Sequence, residues 1–154
     1  MSKKQQDISP VSEKIGKVFL RWYSKSNTFL YRLTGGRVGG KFMGKAPVCL
    51  VTMLGKKSGQ WRTTPLIHIP HGDGIILVAS QGGMSKNPIW YNNLVAHDEI
   101  TVTVGYSKTK MKARQVSDEE KTDLWPIICA VHPGFDGYQE RTDRNIPVML
   151  CTPV

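Results

Sequence analysis

Residues 55–65 combine three cations, three small hydroxyl side chains and two glycines within eleven positions. The segment lies between an apolar run at 48–51 and an alternating run at 66–69, which predicts a hairpin loop. Backbone amides and polar side chains can converge on one oxyanion in such a loop. The sequence therefore predicts a site for a phosphate or carboxylate group, with cations from Lys56, Lys57 and Arg62.

This loop is not a Walker A motif. A Walker A loop anchored on Gly55 would need a glycine at position 50 and a hydroxyl at position 57, where Leu50 and Lys57 stand. Either lysine alone is as readily a surface charge at a turn. Together with the planar fork of Arg62 and the hydroxyls of Ser58, Thr63 and Thr64, an anion site is the stronger interpretation.

A second small-residue turn, at 79–83, follows an apolar strand and precedes a segment rich in aromatic and amide side chains at 88–93. Glycines at positions 82 and 83 allow the backbone to approach a flat ring closely. The alternative is an ordinary tight turn, with Trp90 as a core anchor.

Metal and hydrolytic chemistry are not predicted. His68 and His71 have no Cys, Asp or Glu set at ligand spacing beside them, so no metal site is expected. Ser80, Asp98 and His132 can be combined into a triad on paper, but no serine lies in a G-x-S-x-G elbow.

The periodicity predicts a long helix, short strands and helical covers. Apolar residues recur every three or four positions over 11–33, and the glycines of 34–40 predict a flexible connector. A hairpin turn is expected at 71–74. Strands are expected near 46–53, 62–69, 74–80, 100–105, 108–115 and 146–151. Further helices are expected at 88–96 with Asn87 as N-cap, at 117–130 from a capping box, and in broken form near 136–143.

This pattern predicts a mainly β fold with helices, of the α+β class, built as a small barrel in a single domain. The net charge is +9, and residues 1–45 alone carry ten Lys or Arg against two acids. The basic, amphipathic helix either covers an open end of the domain or binds an anionic membrane surface through residues 1–33. The excess positive charge is confined to the N-terminal residues 1–45, and the chain has no strip of aromatic residues on which bases could stack. Nucleic-acid binding is therefore not expected.

The three cysteines form no C-x-x-C pair, which favours a reducing, cytoplasmic location over a disulfide framework. No secretory signal or membrane-spanning run is recognisable. A peripheral position on the inner face of the membrane is the expectation if the helix binds lipid.

The order of motifs resembles the deazaflavin-dependent nitroreductase family of actinobacteria, whose members include quinone reductases that use coenzyme F420. The resemblance covers most of the chain. It is carried by the aromatic helix at 19–32, the loop 55–60, and the blocks 62–66, 79–83, 86–94, 118–120 and 146–151.

The resemblance implies a split β-barrel of the FMN-binding type, with a helix and connector at 1–40 and a cofactor-binding body at 41–154. It implies that the phosphate and acidic tail of F420 lie on Lys56, Lys57, Ser58, Gln60 and Arg62. It also implies that the deazaflavin ring and ribityl chain are lined by Thr63, Thr64, Pro65, Leu66, Ile67, Val78, Ala79, Ser80, Gln81, Ile89, Trp90, Tyr91, Asn92 and Asn93. The implied acceptor pocket contains Phe19, Trp22, Phe135 and Tyr138.

The chain departs from the nitroreductase pattern at the acceptor. A loop that carries three tyrosines in the nitroreductase keeps only Tyr138, because His132 and Phe135 stand at the other two places, and Ile67 replaces another pocket tyrosine. We therefore expect hydride transfer to a quinone such as menaquinone, with a nitroaromatic as the other acceptor class. Ser80 is expected to polarise an oxygen, and Tyr138 or His132 to donate a proton.

Two alternatives stay open at this point. The chain is an FMN-dependent oxidoreductase of the same barrel, or it is a basic module that binds membranes or other anions.

Overall fold

The computed structural model describes residues 10–154, and within the first helix it describes no side chains at 10–13, 17 and 19–23. The helices are α1 (Pro10–Thr34), α2 (Ile89–Ala96), α3 (Asp118–Val131) and α4 (Gly134–Glu140). The strands are β1 (Lys41–Phe42), β2 (Ala46–Leu54), β3 (Trp61–Ile67), β4 (Ile69–His71), β5 (Gly74–Val78), β6 (Glu99–Val104), β7 (Ser107–Gln115) and β8 (Val148–Pro153). A short 3₁₀ turn spans Gln81–Gly83.

The strands form one curled antiparallel sheet in the order β1-β2-β6-β7-β8-β5-β4, and β3 pairs with residues 48–54 of β2 on the edge opposite β6. The curl brings β3 into contact with β5, although β3 and β5 do not pair among the described strands. Leu77 and Val78 of β5 pair only with β8, because the pairing of β5 with β4 stops at Ile76 of β5. The sheet is therefore an open half-barrel with a seam between β3 and the end of β5, and the predicted fold class is confirmed.

Alternating residues of the strands build cores on both faces of the sheet. The inner face forms a cluster with α2 that includes Val51, Met53, Leu77, Leu94, Val102 and Met149. The outer face forms a second cluster with α3 and α4 that includes Ile76, Val78, Ile128, Phe135 and Val148. A third, smaller cluster holds α1 to the sheet through Tyr31, Val48 and Leu50.

Local signals correctly predicted several boundaries. Ser117 and Glu120 form the expected capping box at the start of α3. The hairpin at 71–74 is present, with His71 paired to Gly74 and Gly72 at φ +59°. The strand expected at 62–69 is instead divided at His68 into β3 and β4. The His68 backbone N–H still donates to the Pro47 carbonyl in the β2–β3 register, but Pro47 has no N–H with which to return the bond.

Two other expectations need correction. Asn87 is not the N-cap of α2, because Pro88 occupies that position and the Asn87 Oδ1 atom accepts a hydrogen bond from Arg144. The connector after α1 is packed: a Cβ at Gly39 would lie 2.0 Å from the Asn27 Oδ1 atom. The apolar positions of α1 do not all face the domain, since Phe29 and Leu33 are exposed while Asn27 and Tyr31 are buried.

Candidate functional site

The basic loop, residues 55–60, is closed by its own backbone between β2 and β3. The Gly55 amide donates to the Gln60 carbonyl at 2.8 Å, and the Gly59 amide donates to the Gly55 carbonyl at 2.9 Å. Gly59 has φ +61°, a conformation that favours glycine. The side chains of Lys56, Lys57 and Ser58 are exposed. The loop thus presents two ammonium groups and a hydroxyl to solvent on a fixed backbone.

Two polar side chains are tied into this loop from its flanks. Arg62 donates from Nη2 to the Gln60 Oε1 atom at 3.2 Å. Asn93, which is buried in α2, accepts the Lys56 backbone N–H at 3.0 Å. Asn93 was predicted to line a ring, but its amide oxygen holds the basic loop to α2. This hydrogen bond joins residues 37 positions apart, so no local pattern signals it.

The second predicted turn is held by Arg144, which the sequence analysis did not single out. Arg144 Nη2 donates to the Ser80 carbonyl at 2.7 Å, and Nε donates to the Met84 carbonyl at 2.8 Å. Both terminal nitrogens also reach the Ala79 carbonyl, each at 3.2 Å. With Asn87 at 2.7 Å, all five N–H groups of the guanidinium have acceptors. Arg144 therefore fixes both sides of the turn that contains Ser80.

Only a weak sequence signal marks Arg144. It is an arginine just before the last strand, in a segment with Asp143 and Asn145, and such residues are usually solvated. Burial lowers the pKa of its guanidinium, which nevertheless stays charged.

His132, Phe135 and Tyr138 form an aromatic cluster at the junction of α3 and α4. The ring centroids of His132 and Phe135 are 5.0 Å apart, and those of Phe135 and Tyr138 are 5.9 Å apart. His132 Nε2 lies 3.3 Å from the Tyr138 hydroxyl. Phe42 of β1 adds an edge contact to His132 at 5.6 Å. Burial lowers the pKa of His132, which favours its neutral form.

Gly83 brings the aromatic cluster and the Ser80 turn together. A Cβ at Gly83 would lie 2.6 Å from the Tyr138 carbonyl oxygen, so the backbone of α4 packs directly on the turn. Ile67 and Val78, on the two sides of the seam, belong to the same apolar cluster as Phe135 and Tyr138. The structure thus unites Ile67, Val78, Ser80, Phe135 and Tyr138 around the open seam.

Other predicted ring-lining residues lie elsewhere. Leu66, Trp90 and Tyr91 pack against the inner-face cluster, and the Tyr91 hydroxyl donates to the Gln115 Oε1 atom at 2.6 Å. Ile89 and Asn92 are exposed on α2. Thr63, Thr64 and Pro65 are half-buried along β3, whereas Ala79 is buried. Phe19 and Trp22 lie outside the side chains that the structure describes.

Gln81 is in the Ser80 turn at φ +46°, an unusual conformation for a side chain other than glycine. Its amide group faces the segment 86–88, with its nitrogen donating to the carbonyls of Lys86 and Asn87. The side chain of Gln81 therefore stabilises the conformation of the turn.

The described part of the chain has neither a metal centre nor a membrane-spanning helix. Among the side chains that the structure describes, no group of three His, Cys, Asp or Glu has the geometry of a metal site. Among the described helices, none is long and apolar enough to cross a membrane.

Sequence and structure comparisons agree with one another. A family model described as F420H(2)-dependent quinone reductase matches residues 22–153. An F420H(2)-dependent quinone reductase of Mycobacterium tuberculosis (strain ATCC 25618 / H37Rv) is 36% identical over 126 residues, which are 80% of this chain and 85% of that protein.

Two similar solved structures share the fold, and one of them is an F420-H2 dependent reductase. A structure of an F420-H2 dependent reductase (FDR-A) has a TM-score of 0.64 and 35% identity, and covers 68% of this chain and 93% of that one. Another, described as a domain-swapped dimer, has a TM-score of 0.65 and 31% identity, and covers 82% of this chain and 95% of that one.

Proposed function

The chain belongs to the family of F420H(2)-dependent quinone reductases, and we propose that its basic loop and its seam bind the two ends of coenzyme F420. It is an oxidoreductase, and the family assignment favours F420 over FMN. Reduced F420 supplies a hydride, and the protein supplies binding and orientation. The observation that carries the proposal is β3, which begins at the basic loop and ends at the seam.

The donor set of the basic loop fits a phosphate. Lys56 and Lys57 provide ammonium groups, Ser58 a hydroxyl, and Arg62 a guanidinium whose position Gln60 restrains. These residues hold the phosphate in our proposal. The closed backbone at 55–60 keeps the charges together before the ligand arrives, which reduces the ordering cost of binding.

In our proposal the flat ring lies at the seam. Ile67 and Val78 provide apolar contacts on opposite sides, and the Ser80 turn provides a rigid polar edge. Ser80 is itself buried, so its hydroxyl can orient an oxygen of the ring or of the acceptor away from bulk water. Thr63, Thr64 and Pro65 line the path between ring and phosphate.

The aromatic cluster forms the acceptor side. A quinone is flat and apolar, and Phe135 and Tyr138 offer faces and edges suited to it. Hydride addition to a quinone leaves an oxyanion that needs one proton to give the hydroquinone. The Tyr138 hydroxyl donates that proton in our proposal, and His132, its neighbour at 3.3 Å, orients the hydroxyl.

A nitroaromatic is a second flat acceptor of suitable size, although the seam lacks a tyrosine at Ile67. We rank it below menaquinone-like quinones, because an apolar Ile67 offers a nitro group no hydrogen bond.

The first helix suits attachment to an anionic membrane, where such quinones dissolve. Ile15, Val18, Phe29 and Leu33 are exposed on α1, and they fall within one stripe of the helix at 3.6 residues per turn. Lys14, Lys25 and Arg32 run beside that stripe and are exposed. An apolar stripe with a basic border is the pattern of a helix that lies in a membrane surface.

Membrane attachment is tested by sedimentation with vesicles of anionic or zwitterionic lipid. Removing residues 1–33 would also remove Tyr31 from the core, so surface substitutions are preferable. Phe29→Ser with Leu33→Ser should reduce binding to anionic vesicles without lowering stability. Equal binding by wild type and variant would contradict this part of the proposal.

Catalysis is tested by mixing the protein with reduced F420 and menaquinone while following the absorbance of oxidised F420. We expect turnover that depends on both protein and quinone. A parallel titration with FMN should show weaker binding than F420. Absence of turnover with any quinone, or tighter binding of FMN, would overturn the assignment of reaction or cofactor.

A further inference from the structure

A groove of about 580 Å³ lies between α3 and α4, and the described residues that line it are separate from those assigned to cofactor and acceptor. Trp125 and Pro126 of α3 form its apolar part, and Gln139 and Asn145 line it from α4 and the segment that follows. The Trp125 indole N–H donates to the Asp136 Oδ1 atom at 2.6 Å, so the ring is held in one orientation. A pre-formed aromatic surface of this kind suits an apolar side chain of another molecule.

Lys121 also lines this groove, but its ammonium group is bound within the protein. Its Nζ atom donates to the Gln139 Oε1 atom at 3.0 Å, to the Ile146 carbonyl at 2.9 Å and to the Asn145 Oδ1 atom. An ammonium group has three N–H donors, so these acceptors use all of them. Lys121 therefore links α3 to α4 and to the segment before β8, and it has no donor left for a ligand.

The surroundings of the groove are acidic, whereas the first part of the chain is basic. Residues 118–145 carry seven Asp or Glu against three Lys or Arg. Two of these acids, Glu119 and Asp123, are exposed one helical turn apart on α3, next to residues that line the groove. Residues 14–72 carry eleven Lys or Arg and no Asp or Glu. Two copies of the chain therefore attract each other most strongly when the basic region of one meets the acidic region of the other.

The α1 stripe, which consists of Ile15, Val18, Phe29 and Leu33, is the apolar counterpart of this groove. Its four side chains are 59–67% exposed, and apolar surfaces of this kind mark interaction sites. Lys25 is exposed one turn before Phe29, so a cation lies within the stripe. An amphipathic helix that lays its apolar face in a groove is a common mode of recognition, and here the charges beside the two surfaces are opposite in sign.

We propose that the α3–α4 groove of one copy of this chain receives the α1 stripe of a second copy. Phe29 packs on the ring of Trp125, and Lys25 faces the carboxylates of Glu119 and Asp123. The two surfaces differ, so the contact is heterologous, and exchange in both directions closes a two-fold dimer. The inference goes beyond the proposed function, because the contact needs neither cofactor nor quinone. The stripe then serves a second copy in solution and lipid at a membrane.

Sedimentation velocity of the whole chain measures the association. At low salt we expect a dissociation constant on the order of 10 µM, as for a small transient interface. The association should weaken as salt is raised, because exposed charges are screened.

Charge reversal on each side tests which surfaces meet. Glu119→Lys with Asp123→Lys reverses the groove, and Lys14→Glu with Lys25→Glu reverses the stripe; all four side chains are exposed. The matched control for the groove variant is Asp73→Lys with Glu99→Lys, which changes the net charge equally at two exposed acids outside α3 and α4.

Each variant alone should associate about tenfold more weakly than the wild type or less tightly still, because attractive pairs become repulsive. An equimolar mixture of the groove and stripe variants should associate as the wild type does. In that mixture the reversed groove meets the reversed stripe, and the two native surfaces meet each other. The control should associate as the wild type does. The groove variant should keep wild-type quinone reduction and binding to anionic vesicles, because its substitutions lie outside the seam and α1.

A wild-type protein that stays monomeric well above the expected dissociation constant would overturn the proposal. A groove variant that associates as the wild type does would also overturn it, since the stripe would then meet another surface. Far-UV circular dichroism shows whether both variants are folded. A mixture of two folded variants that stays monomeric would contradict the pairing of groove with stripe. Failure of F420 binding or quinone reduction would leave these measurements intact, so the two hypotheses fail separately.

Discussion

Arg144 donates a hydrogen bond from Nη2 to the carbonyl oxygen of Ser80 at 2.7 Å across 64 residues of sequence. The same guanidinium also holds the carbonyls of Ala79 and Met84. A single side chain from the segment before β8 thus determines the shape of the turn that we assign to the cofactor ring.

We therefore predict that Arg144→Met destabilises the protein by about 2–3 kcal/mol, because it leaves partly buried carbonyls without donors. Arg144→Lys should recover part of this loss, since an ammonium reaches some but not all of the acceptors. Urea denaturation measures the stability, and F420 titration measures the site. Where Arg144→Lys remains folded, its affinity for F420 should still be lower than that of the wild type. Wild-type affinity in that variant would show that the hydrogen bonds of Arg144 do not shape the cofactor site.

Gly83 and Gly82 allow a matched test of the contact between the Ser80 turn and α4. Both have positive φ, +79° and +65°, so alanine costs each about 1 kcal/mol of backbone strain. Only at Gly83 would the new methyl also meet the Tyr138 carbonyl, at 2.6 Å, because Gly82 faces open space.

Gly83→Ala should therefore lower stability by about 1–3 kcal/mol more than Gly82→Ala, and raise the KM for quinone by displacing Tyr138. Thermal unfolding and steady-state kinetics measure the two effects. Similar behaviour of both variants would mean that α4 does not depend on this contact.

We predict that His68 makes the stability of the folded protein sensitive to acid. The side chain is buried and its Nδ1 atom has no hydrogen-bond partner among the described residues, and burial lowers its pKa. In the unfolded chain His68 binds a proton near pH 6.5, whereas in the folded chain it does so only at lower pH. The contribution of His68 to the free energy of unfolding is therefore constant above about pH 6.5 and is lost as the pH falls toward the folded pKa.

Replacing His68 with Phe should reduce the slope of stability against pH between about pH 6.5 and 5, where one such group contributes up to about 1.4 kcal/mol per pH unit. His132 also titrates with a lowered pKa, so His132→Gln is the parallel variant. Glu120 stays ionised in this window, because its hydrogen bonds with Arg114 lower its pKa to about 2. An unchanged slope in the His68 variant would show that His68 is already protonated or exposed.

The parts of the fold that sequence predicted are those encoded by neighbouring residues. The basic loop, the hairpin at 71–74 and the capping box at Ser117 each depend on residues within a few positions. The hydrogen bond of Arg144 to the Ser80 carbonyl joins residues 64 positions apart. The hydrogen bond of the Lys56 amide to Asn93 joins residues 37 positions apart. No local pattern distinguishes such side chains from solvated ones.

The same reason explains the division of the predicted ring-lining set. Alternation along β3 sends Leu66 to the inner-face cluster and Ile67 to the outer-face cluster, so neighbouring members of the set have different surroundings. A sequence motif marks consecutive residues together and does not show which face of the sheet each side chain occupies. The curl of the sheet determines which members meet at the seam.

The last prediction concerns the proton that completes the hydroquinone. The Tyr138 hydroxyl lies 3.3 Å from His132 Nε2, and the lowered pKa of His132 keeps its ring neutral at neutral pH. In the tautomer with a proton on Nε2, His132 donates to the Tyr138 oxygen and leaves the Tyr138 proton for the quinone. We expect Tyr138→Phe to lower kcat for quinone reduction about tenfold, less than the ~10²–10⁴ of an irreplaceable general acid, because Tyr138 is only half-buried and a water molecule can take the place of its hydroxyl.

The variant should bind F420 as wild type does, since the aromatic ring remains. Its solvent deuterium isotope effect on kcat should differ from that of the wild type, because the proton then comes from water. His132→Gln should cause a smaller loss, as an orienting neighbour would. A Tyr138→Phe enzyme with wild-type kcat and isotope effect would assign the proton to solvent, and Tyr138 would then be only a wall of the acceptor pocket.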